Sequence, residues 1–125
     1  MDDIFFRLLL GHLFGDYVFQ TAWMADNKKT DTFPCAVHCL LYSLCVMVFV
    51  PEIVFAGPLA VILLYASHFV FDRWQLVMVW FSQMRSVKDA KDPSKAAILT
   101  LVYVMMDNTF HLFFMWLILK LFVLK

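Results

Sequence analysis

Long apolar stretches alternate with short polar ones along the chain, and their lengths predict membrane-spanning helices. A helix needs about 20 residues to cross about 30 Å of hydrocarbon. Four stretches reach that length, and the predicted helices run over about 4–24, 34–55, 59–80 and 96–123. Pro34 suits the first turn of the second helix, Pro51 interrupts it, and Pro93-Ser94 is typical of a helix start. The sequence therefore predicts an all-α integral membrane four-helix bundle, with residues 1–125 forming a single domain.

The composition of the chain agrees with a membrane protein. Of the 125 residues, 63% are hydrophobic and 16% are charged. Soluble domains are roughly 45–50% apolar, so this chain has too few charges to coat a soluble surface. Its formal net charge is zero, and without a basic excess no nucleic-acid partner is expected. The lipid bilayer is the expected surrounding.

The basic residues of the polar stretches predict an orientation, because cytoplasmic loops carry an excess of Lys and Arg. Lys28 and Lys29 follow the first predicted helix, and the link between the second and third has no basic residue. The loop after the third helix carries four: Arg85, Lys88, Lys91 and Lys95. Both long loops are therefore predicted to be cytoplasmic and both termini outside, in a multi-pass protein of the inner (cytoplasmic) membrane. Arg73 is expected to extend to the lipid head groups.

Each predicted helix also contains polar residues that membrane helices usually lack. Ionisable groups there cost at least about 2.5–3.5 kcal/mol each on insertion scales, and they mark functional sites. These polar residues include all four histidines of the chain. They are His12, Asp16, Gln20, His38, His68, Asp72, Asp107, Asn108 and His111. The first, third and fourth helices each contain one His and one Asp four residues apart, which places both side chains on one helix face.

Depth along the helices, at about 1.5 Å per residue, indicates which of these side chains can meet. Five residues fall at the centre of a cluster open toward the cytoplasm: His12, Asp16, His68, Asp72 and Asp107. His38 and His111 are expected at its edges. Gly11 and Gly15 form a G-x-x-x-G pair, which lets helix backbones approach closely. This packing would bring a partner helix against the first His/Asp pair.

Imidazole and carboxylate groups are natural ligands of zinc, manganese and iron, so the cluster predicts a divalent-metal site. The candidate ligands are His12, Asp16, His38, His68, Asp72, Asp107 and His111. Four histidines and three aspartates could hold two metals, as some helix bundles do. Alternatively, each aspartate orients its neighbouring histidine. Gln20 and Asn108 are expected to give polar support.

Three functional interpretations use these residues. In the first, the chain is a membrane-embedded metal-dependent hydrolase. In the second, it is a transporter or channel subunit for a metal ion, protons or a small solute, because intramembrane His and Asp residues relay protons and line substrate routes. In the third, it is an accessory or effector subunit whose polar cluster only fixes the bundle. A homo-oligomer is expected, because so small a bundle has little interior of its own.

Four parts of the sequence carry a family resemblance: 10–21 (LGHLFGDYVFQT), His38, 68–72 (HFVFD) and 107–111 (DNTFH). They resemble the bacterial and phage membrane family named domain of unknown function 3307, over nearly the whole chain. The resemblance implies a shared polar site and brings no activity with it. Asn108 stands where glutamine is expected and keeps the amide group.

The His-x-x-x-Asp pattern is also similar to that of small membrane-bound metal-dependent hydrolases. This likeness implies that a metal-activated water molecule attacks the substrate. It also implies that a site aspartate, Asp16 or Asp72, is the general base. Because the site lies within the bilayer, the substrate would be lipid-linked or amphipathic.

Overall fold

The computed structural model describes residues 2–84 and 92–124, and within these ranges the chain is helical, without strands. The ranges contain seven α-helices: α1 Asp2–Leu13, α2 Ala22–Asn27, α3 Thr32–Phe49, α4 Glu52–Phe55, α5 Pro58–Arg73, α6 Leu76–Met84 and α7 Pro93–Phe122. A π-helical turn, Phe14–Val18, follows α1 directly. The helices α1, α3, α5 and α7 pack in that order, and α7 also contacts α1, which closes an antiparallel bundle. The all-α prediction is confirmed.

The first predicted helix, 4–24, is two helices in the structure, separated by the π-helical turn and a break. The N–H of Phe19 donates to the carbonyl of Phe14 (2.9 Å), which closes the wider turn. Thr21 then takes an extended conformation, and its side chain caps the start of α2. The apolar periodicity of the sequence does not reveal a π-helical turn. Such turns are often found at functional sites. Here the turn contains the buried Asp16.

The second and third predicted helices are divided as well. Pro51 ends α3 and separates it from the single turn of α4, so 34–55 is interrupted where the sequence predicted. The third, 59–80, is the pair α5 and α6, and Gln75 between them has a positive φ of 50°. The fourth predicted helix is continuous in α7, which begins at Pro93.

Two helices in the described ranges are long and apolar enough to cross a membrane, α3 and α7. In α7, only 11% of the most apolar 18-residue window is buried inside the protein. The core helix of a soluble protein is mostly buried, whereas apolar side chains turned outward are ordinary in lipid. The breaks shorten α1 and α5 to 12 and 16 residues, below the roughly 20 residues of a full span. By length and composition, the described ranges therefore support two of the four predicted spans, α3 and α7.

The interior of the bundle has an apolar end and a polar half. The apolar end is built from residues near the starts of α1 and α5 and the ends of α3 and α7: Leu8, Val46, Val50, Ile53, Ala60, Leu64, Met115, Ile118 and Leu119. Beside it, the guanidinium of Arg7 donates to both carboxylate oxygens of Glu52 (2.6 and 3.1 Å) and to the carbonyl of Phe49 (3.1 Å). These bonds tie α1 to α4 and to the end of α3. The polar half lies on the other side of Tyr42.

Gly11 and Gly15 bring α1 and the π-helical turn against α3. A Cβ added to Gly11 would lie 2.8 Å from Cα of Val46, and one added to Gly15 would lie 2.7 Å from Cδ2 of Tyr42. Real Cβ atoms essentially never come within 3.0 Å of such atoms. A larger residue at either position would push α3 away. The close approach also carries Asp16 into the interior.

The orientation predicted from loop charges depends partly on residues outside the described ranges, namely Arg85, Lys88 and Lys91. Within those ranges, Lys28 and Lys29 lie between α2 and α3, at the end of the bundle where α5 ends. The chain enters α7 from the same end, because α5 and α7 are antiparallel. The loop with Lys28 and Lys29 and the start of α7 therefore lie at one end of the bundle.

Candidate functional site

The four histidines converge from four different helices into the polar half of the bundle. His12 belongs to α1, His38 to α3, His68 to α5 and His111 to α7. None is more than 3% exposed. The ring centroids of His38 and His68 are 5.1 Å apart, and those of His68 and His111 are 4.3 Å apart. Side chains that are distant in sequence thus share one buried layer.

The tightest part of this layer, here called the quartet, consists of His38, His68, Asp16 and Asp72. Nε2 of His38 lies 3.0 Å from Nε2 of His68. Oδ1 of Asp16 lies 3.2 Å from the first nitrogen and 3.3 Å from the second. Oδ2 of Asp72 lies 3.1 and 3.4 Å from the same two atoms. Two carboxylate oxygens, one from the π-helical turn and one from α5, therefore both lie against the two imidazole nitrogens.

The spacing of the quartet fits the ligand shell of a small metal ion. Zinc binds imidazole nitrogen and carboxylate oxygen at about 2.0–2.2 Å, usually in a tetrahedron, whose ligand atoms then lie about 3.3–3.6 Å apart. Five of the six distances among the four atoms range from 3.0 to 3.4 Å. The two carboxylates belong to different groups of close ligand atoms, Asp16 with His68 and His111, and Asp72 with His38 and His68. A donor set of nitrogen and oxygen suits zinc and also manganese. His38, His68 and Asp72 form one of three groups whose ligand atoms are close enough to share an ion.

Several buried polar atoms of the cluster have no hydrogen-bond partner among the described residues. They are Oδ1 of Asp16, Nδ1 of His38, Nδ1 of His68 and Nε2 of His111. Oδ1 of Asp16 lies near two imidazole nitrogens, yet neither contact has hydrogen-bond geometry. Buried polar atoms are nearly always paired, and exceptions mark ion or water sites or catalytic groups. The arrangement is therefore unlike an ordinary structural hydrogen-bond network.

Tyr42 holds the ring of His68 in place. The two rings stack with centroids 3.5 Å apart and planes 15° apart. A metal-binding histidine usually donates the N–H of its second ring nitrogen to a carboxylate or a carbonyl, which fixes the orientation of the ring. For His68, stacking on Tyr42 fixes the orientation instead. Tyr42 was not among the residues predicted for the site. A signal was available, because Tyr42 lies four residues after His38 and shares its helix face.

His12 has polar partners at both nitrogens of its ring. Nε2 donates to Oδ1 of Asn108 (2.9 Å), which also accepts from the hydroxyl of Tyr17 (2.9 Å). Nδ1 lies 3.0 Å from the hydroxyl of Tyr42 and 3.3 Å from Oδ2 of Asp16. With its hydrogen on Nε2, a neutral His12 ring can accept at Nδ1 from Tyr42 but cannot donate to Asp16, and His12 lies outside the groups of close ligand atoms. Asn108 contacts the cluster through this ring.

The positions of His111 and Asp107 differ from the prediction based on depth. Nε2 of His111 lies 3.4 Å from Oδ1 of Asp72 and 3.7 Å from Oδ1 of Asp107. His38 belongs to the quartet, so both histidines expected at the edges are central. Asp107, expected at the centre, lies at the rim with 29% of its side chain exposed. Asp107 is one turn nearer the start of α7 than His111, and this turn separates the rim from the buried layer.

Lys28 reaches into the cluster from the loop between α2 and α3. Its Nζ donates to Oδ2 of Asp72 (2.7 Å) and lies 3.3 Å from Nε2 of His38. Burial alone would lower the pKa of Lys28, but the carboxylates of Asp72 and Asp16 outweigh burial and raise that pKa above its ordinary value. The sequence analysis used Lys28 only as the mark of a cytoplasmic loop. Nothing in its spacing indicates an inward side chain.

Arg73 fixes this loop against the end of α5. Its guanidinium donates to the carbonyls of Lys29 (2.9 Å) and Thr30 (3.3 Å). Arg73 was expected to extend to lipid head groups, and the structure instead binds it to the loop backbone. The loop is thereby held where Lys28 can reach Asp72.

A cavity of about 230 Å³ adjoins the quartet and extends to the loop that carries Lys28 and Lys29. Asp107 lines it from α7, opposite the carboxylates of the quartet. Gln20 also lines it, and its buried Oε1 has no partner among the described residues. Water occupies about 30 Å³ per molecule in the liquid, so the cavity has room for a polar group of a substrate together with water. Chemistry at the quartet would therefore have a place for its reactants.

The chain was compared with known proteins. A search of curated proteins and a search of solved structures gave no significant match. The sequence profile of a family of proteins of unknown function, DUF3307, matches residues 4–125. Because the match covers nearly the whole chain and includes every residue of the His/Asp cluster, the chain belongs to the DUF3307 family.

Proposed function

We propose that this chain is an integral membrane protein whose quartet binds a divalent cation, such as zinc or manganese, and that it hydrolyses a lipid-linked or amphipathic substrate. The observation that carries the proposal is the spacing of the quartet, in which five distances between ligand atoms lie within 3.0–3.4 Å. Two buried carboxylates and two imidazoles at this spacing have the charge and the donor atoms of a zinc or manganese site.

The outer faces of the bundle support the membrane part of the proposal. On α3, Leu40, Leu44 and Val48 are exposed at successive turns, so that helix turns a stripe of apolar side chains outward. Lipid is the solvent that matches such a surface. We infer that α1 and α5 complete a four-span bundle together with the helices that follow their breaks. The loop of Lys28 and Lys29 would face the cytoplasm of the inner membrane, with both termini outside.

Hydrolysis fits the cavity beside the quartet. A bound divalent cation with one coordination position open to water would supply a Lewis acid and lower the pKa of that water molecule. Asp16 and Asp72 hold their oxygens toward the imidazoles, so they would bind the cation. Asp107 lines the cavity without belonging to the quartet, and its carboxylate is the one best placed to accept a proton from water. This assignment moves the base from Asp16 or Asp72 to Asp107.

A transporter and a purely structural cluster would each require a different interior of the bundle from the one proposed for a hydrolase. A transporter or channel needs a polar route that continues through the bundle, but beyond Tyr42 the described interior is the apolar end formed by residues such as Val46 and Leu64. A purely structural cluster would satisfy its polar atoms internally, yet Oδ1 of Asp16 and Nε2 of His111 have no partner among the described residues. Both observations favour a site that ends at the quartet. A homo-oligomer stays a prediction for so small a bundle.

The first test is the metal content of the purified protein. The chain would be purified in detergent after growth with added zinc or manganese, and its metal measured by elemental analysis. We expect at least one ion per chain, its loss in Asp72→Asn and Asp16→Asn, and no loss in the control Asp26→Asn, an exposed aspartate outside the cluster. Circular dichroism would check that each variant remains helical. Absence of metal from the supplemented wild type would contradict the proposal.

The second test separates hydrolysis from transport. The protein would be reconstituted into vesicles of phosphatidylethanolamine and phosphatidylglycerol, and release of fatty acid or of water-soluble phosphate would be measured. Hydrolysis that requires metal and is lost in Asp107→Asn would support the proposal. Metal-ion or proton flux across the vesicle membrane, without any hydrolysis, would support transport instead.

A further inference from the structure

We infer that the cluster binds a second divalent cation, held by His111 and Asp107 and joined to the quartet through Asp72. The inference rests on the proposed metal site and extends it to two ions. It begins with the carboxylate of Asp72, whose two oxygens face different partners. Oδ2 faces the imidazoles of His38 and His68 (3.1 and 3.4 Å), whereas Oδ1 faces Nε2 of His111 (3.4 Å). A carboxylate in this position can bridge two ions.

The ring of His111 points to the second position. Its side chain is 2% exposed, and its Nε2 has no hydrogen-bond partner among the described residues. The atoms nearest to that nitrogen include Oδ1 of Asp72 at 3.4 Å and Oδ1 of Asp107 at 3.7 Å. A structural His–Asp pair would bring nitrogen and oxygen to about 2.7–3.2 Å in good alignment. Separations of 3.4–3.7 Å instead suit three ligands around a common ion.

The two positions differ in their surroundings. The quartet supplies four ligand atoms, with both carboxylates and both imidazoles buried. The second position has three, and Asp107 brings it to the wall of the cavity. An ion there would keep open positions for water or substrate, and the oxygen of Asp107 that does not bind the ion would remain the proton acceptor of the proposed hydrolysis. Pairs of ions about 3.5–4 Å apart are the arrangement of many phosphatases, nucleases and aminopeptidases.

Charge supports a second cation together with an anionic substrate. Three ionised aspartates and the ammonium of Lys28 give the cluster a formal charge of −2 when the imidazoles are neutral. One divalent ion cancels this charge, and a second leaves +2. An anionic group in the cavity, such as the phosphate of a lipid-linked substrate, would balance the excess. The substrate class of the proposed hydrolase would then be a phosphate ester.

The stoichiometry of metal binding tests the inference. Protein freed of metal by a chelator would be titrated with Mn²⁺ in detergent, with bound ions counted by calorimetry and by elemental analysis after dialysis. We expect two ions per chain in the wild type, one in His111→Ala and one in Asp107→Asn. The control is Thr109→Ala, which changes an exposed residue of the same helix and should keep two. Electron paramagnetic resonance should show coupled Mn²⁺ pairs in the wild type and isolated ions in His111→Ala.

Each outcome has a distinct meaning. One ion in both the wild type and His111→Ala would overturn the second site and keep the quartet. No ion in the wild type would overturn the proposed metal site as well. Loss of both ions in His111→Ala and Asp107→Asn, with helicity unchanged, would contradict two separable positions.

Discussion

The imidazole rings of His38 and His68 point their Nε2 atoms at each other across 3.0 Å, and Nδ1 of each ring has no partner among the described residues. Neutral imidazoles can share one hydrogen at this distance, but two buried carboxylate oxygens crowd the same space at 3.1–3.4 Å. A divalent cation among these atoms would be attracted by both carboxylates and by the lone pairs of the imidazoles, in competition with the ammonium of Lys28. If the quartet binds a metal as proposed, the stability of the bundle will depend on that metal.

The first prediction concerns chelation. Removing the metal should lower the unfolding temperature of the protein in detergent, and added zinc should restore it. A ligand that binds only the folded state stabilises it by about 2.7 kcal/mol when its free concentration is 100 times Kd. His68→Ala, which lacks one quartet ligand, should show a smaller difference in unfolding temperature between chelator and zinc than the wild type. Equal unfolding temperatures of wild type in chelator and in zinc would count against the quartet as a metal site.

The second prediction concerns Lys28, whose ammonium is bound to the Asp72 oxygen that faces the quartet (2.7 Å). A metal ion must compete with this ammonium. Lys28→Met should therefore tighten metal binding, by roughly 10-fold or more if the displaced charge-assisted bond is worth about 1.5–3 kcal/mol. Lys29→Met is the matched control, because Lys29 lines the same cavity and has no bond to Asp72. Unchanged or weaker binding in Lys28→Met would show that the ammonium does not compete.

The local part of the site was accessible from the sequence. Residues four apart on a helix are neighbours, and the structure places His12 3.3 Å from Asp16 and His68 3.4 Å from Asp72. Helix spacing also explains why each helix turns its polar residues to one side. The two His–Asp contacts depend only on the geometry of one helical turn.

The remaining features depend on departures from regular helix that apolar periodicity does not record. The π-helical turn places Asp16 opposite His38, and no hydrophobic pattern distinguishes that turn from the helix before it. Lys28 contacts Asp72 across 44 positions, through a loop whose course depends on Arg73. Such contacts result from tertiary packing. The sequence pattern of a single helix therefore cannot predict these contacts.

The third prediction compares the two glycines that face α3. Both Gly11→Ala and Gly15→Ala should destabilise the bundle, by about 1–3 kcal/mol as is typical of overpacking, because each Cβ would overlap α3. Only Gly15→Ala pushes on Tyr42, whose ring stacks on His68. Metal affinity should therefore fall in Gly15→Ala more than in Gly11→Ala at a temperature where both are folded. Equal losses of affinity would mean that Tyr42 does not transmit the change to the site.

The fourth prediction uses the Arg7–Glu52 pair as a pH-dependent contact remote from the cluster. The hydrogen bonds from Arg7 hold the pKa of Glu52 below its ordinary value of 4.5. A carboxyl whose pKa is lowered by folding stabilises the folded state above its unfolded pKa, and this contribution is lost as the pH falls through the folded pKa. Glu52→Gln should thus unfold at a lower temperature than wild type at pH 7, with a difference that shrinks below about pH 4.5. Since the pair lies at the apolar end, metal content should be unchanged. A difference in unfolding temperature that persisted at pH 3 would mean that packing, and not charge, makes Glu52 stabilising.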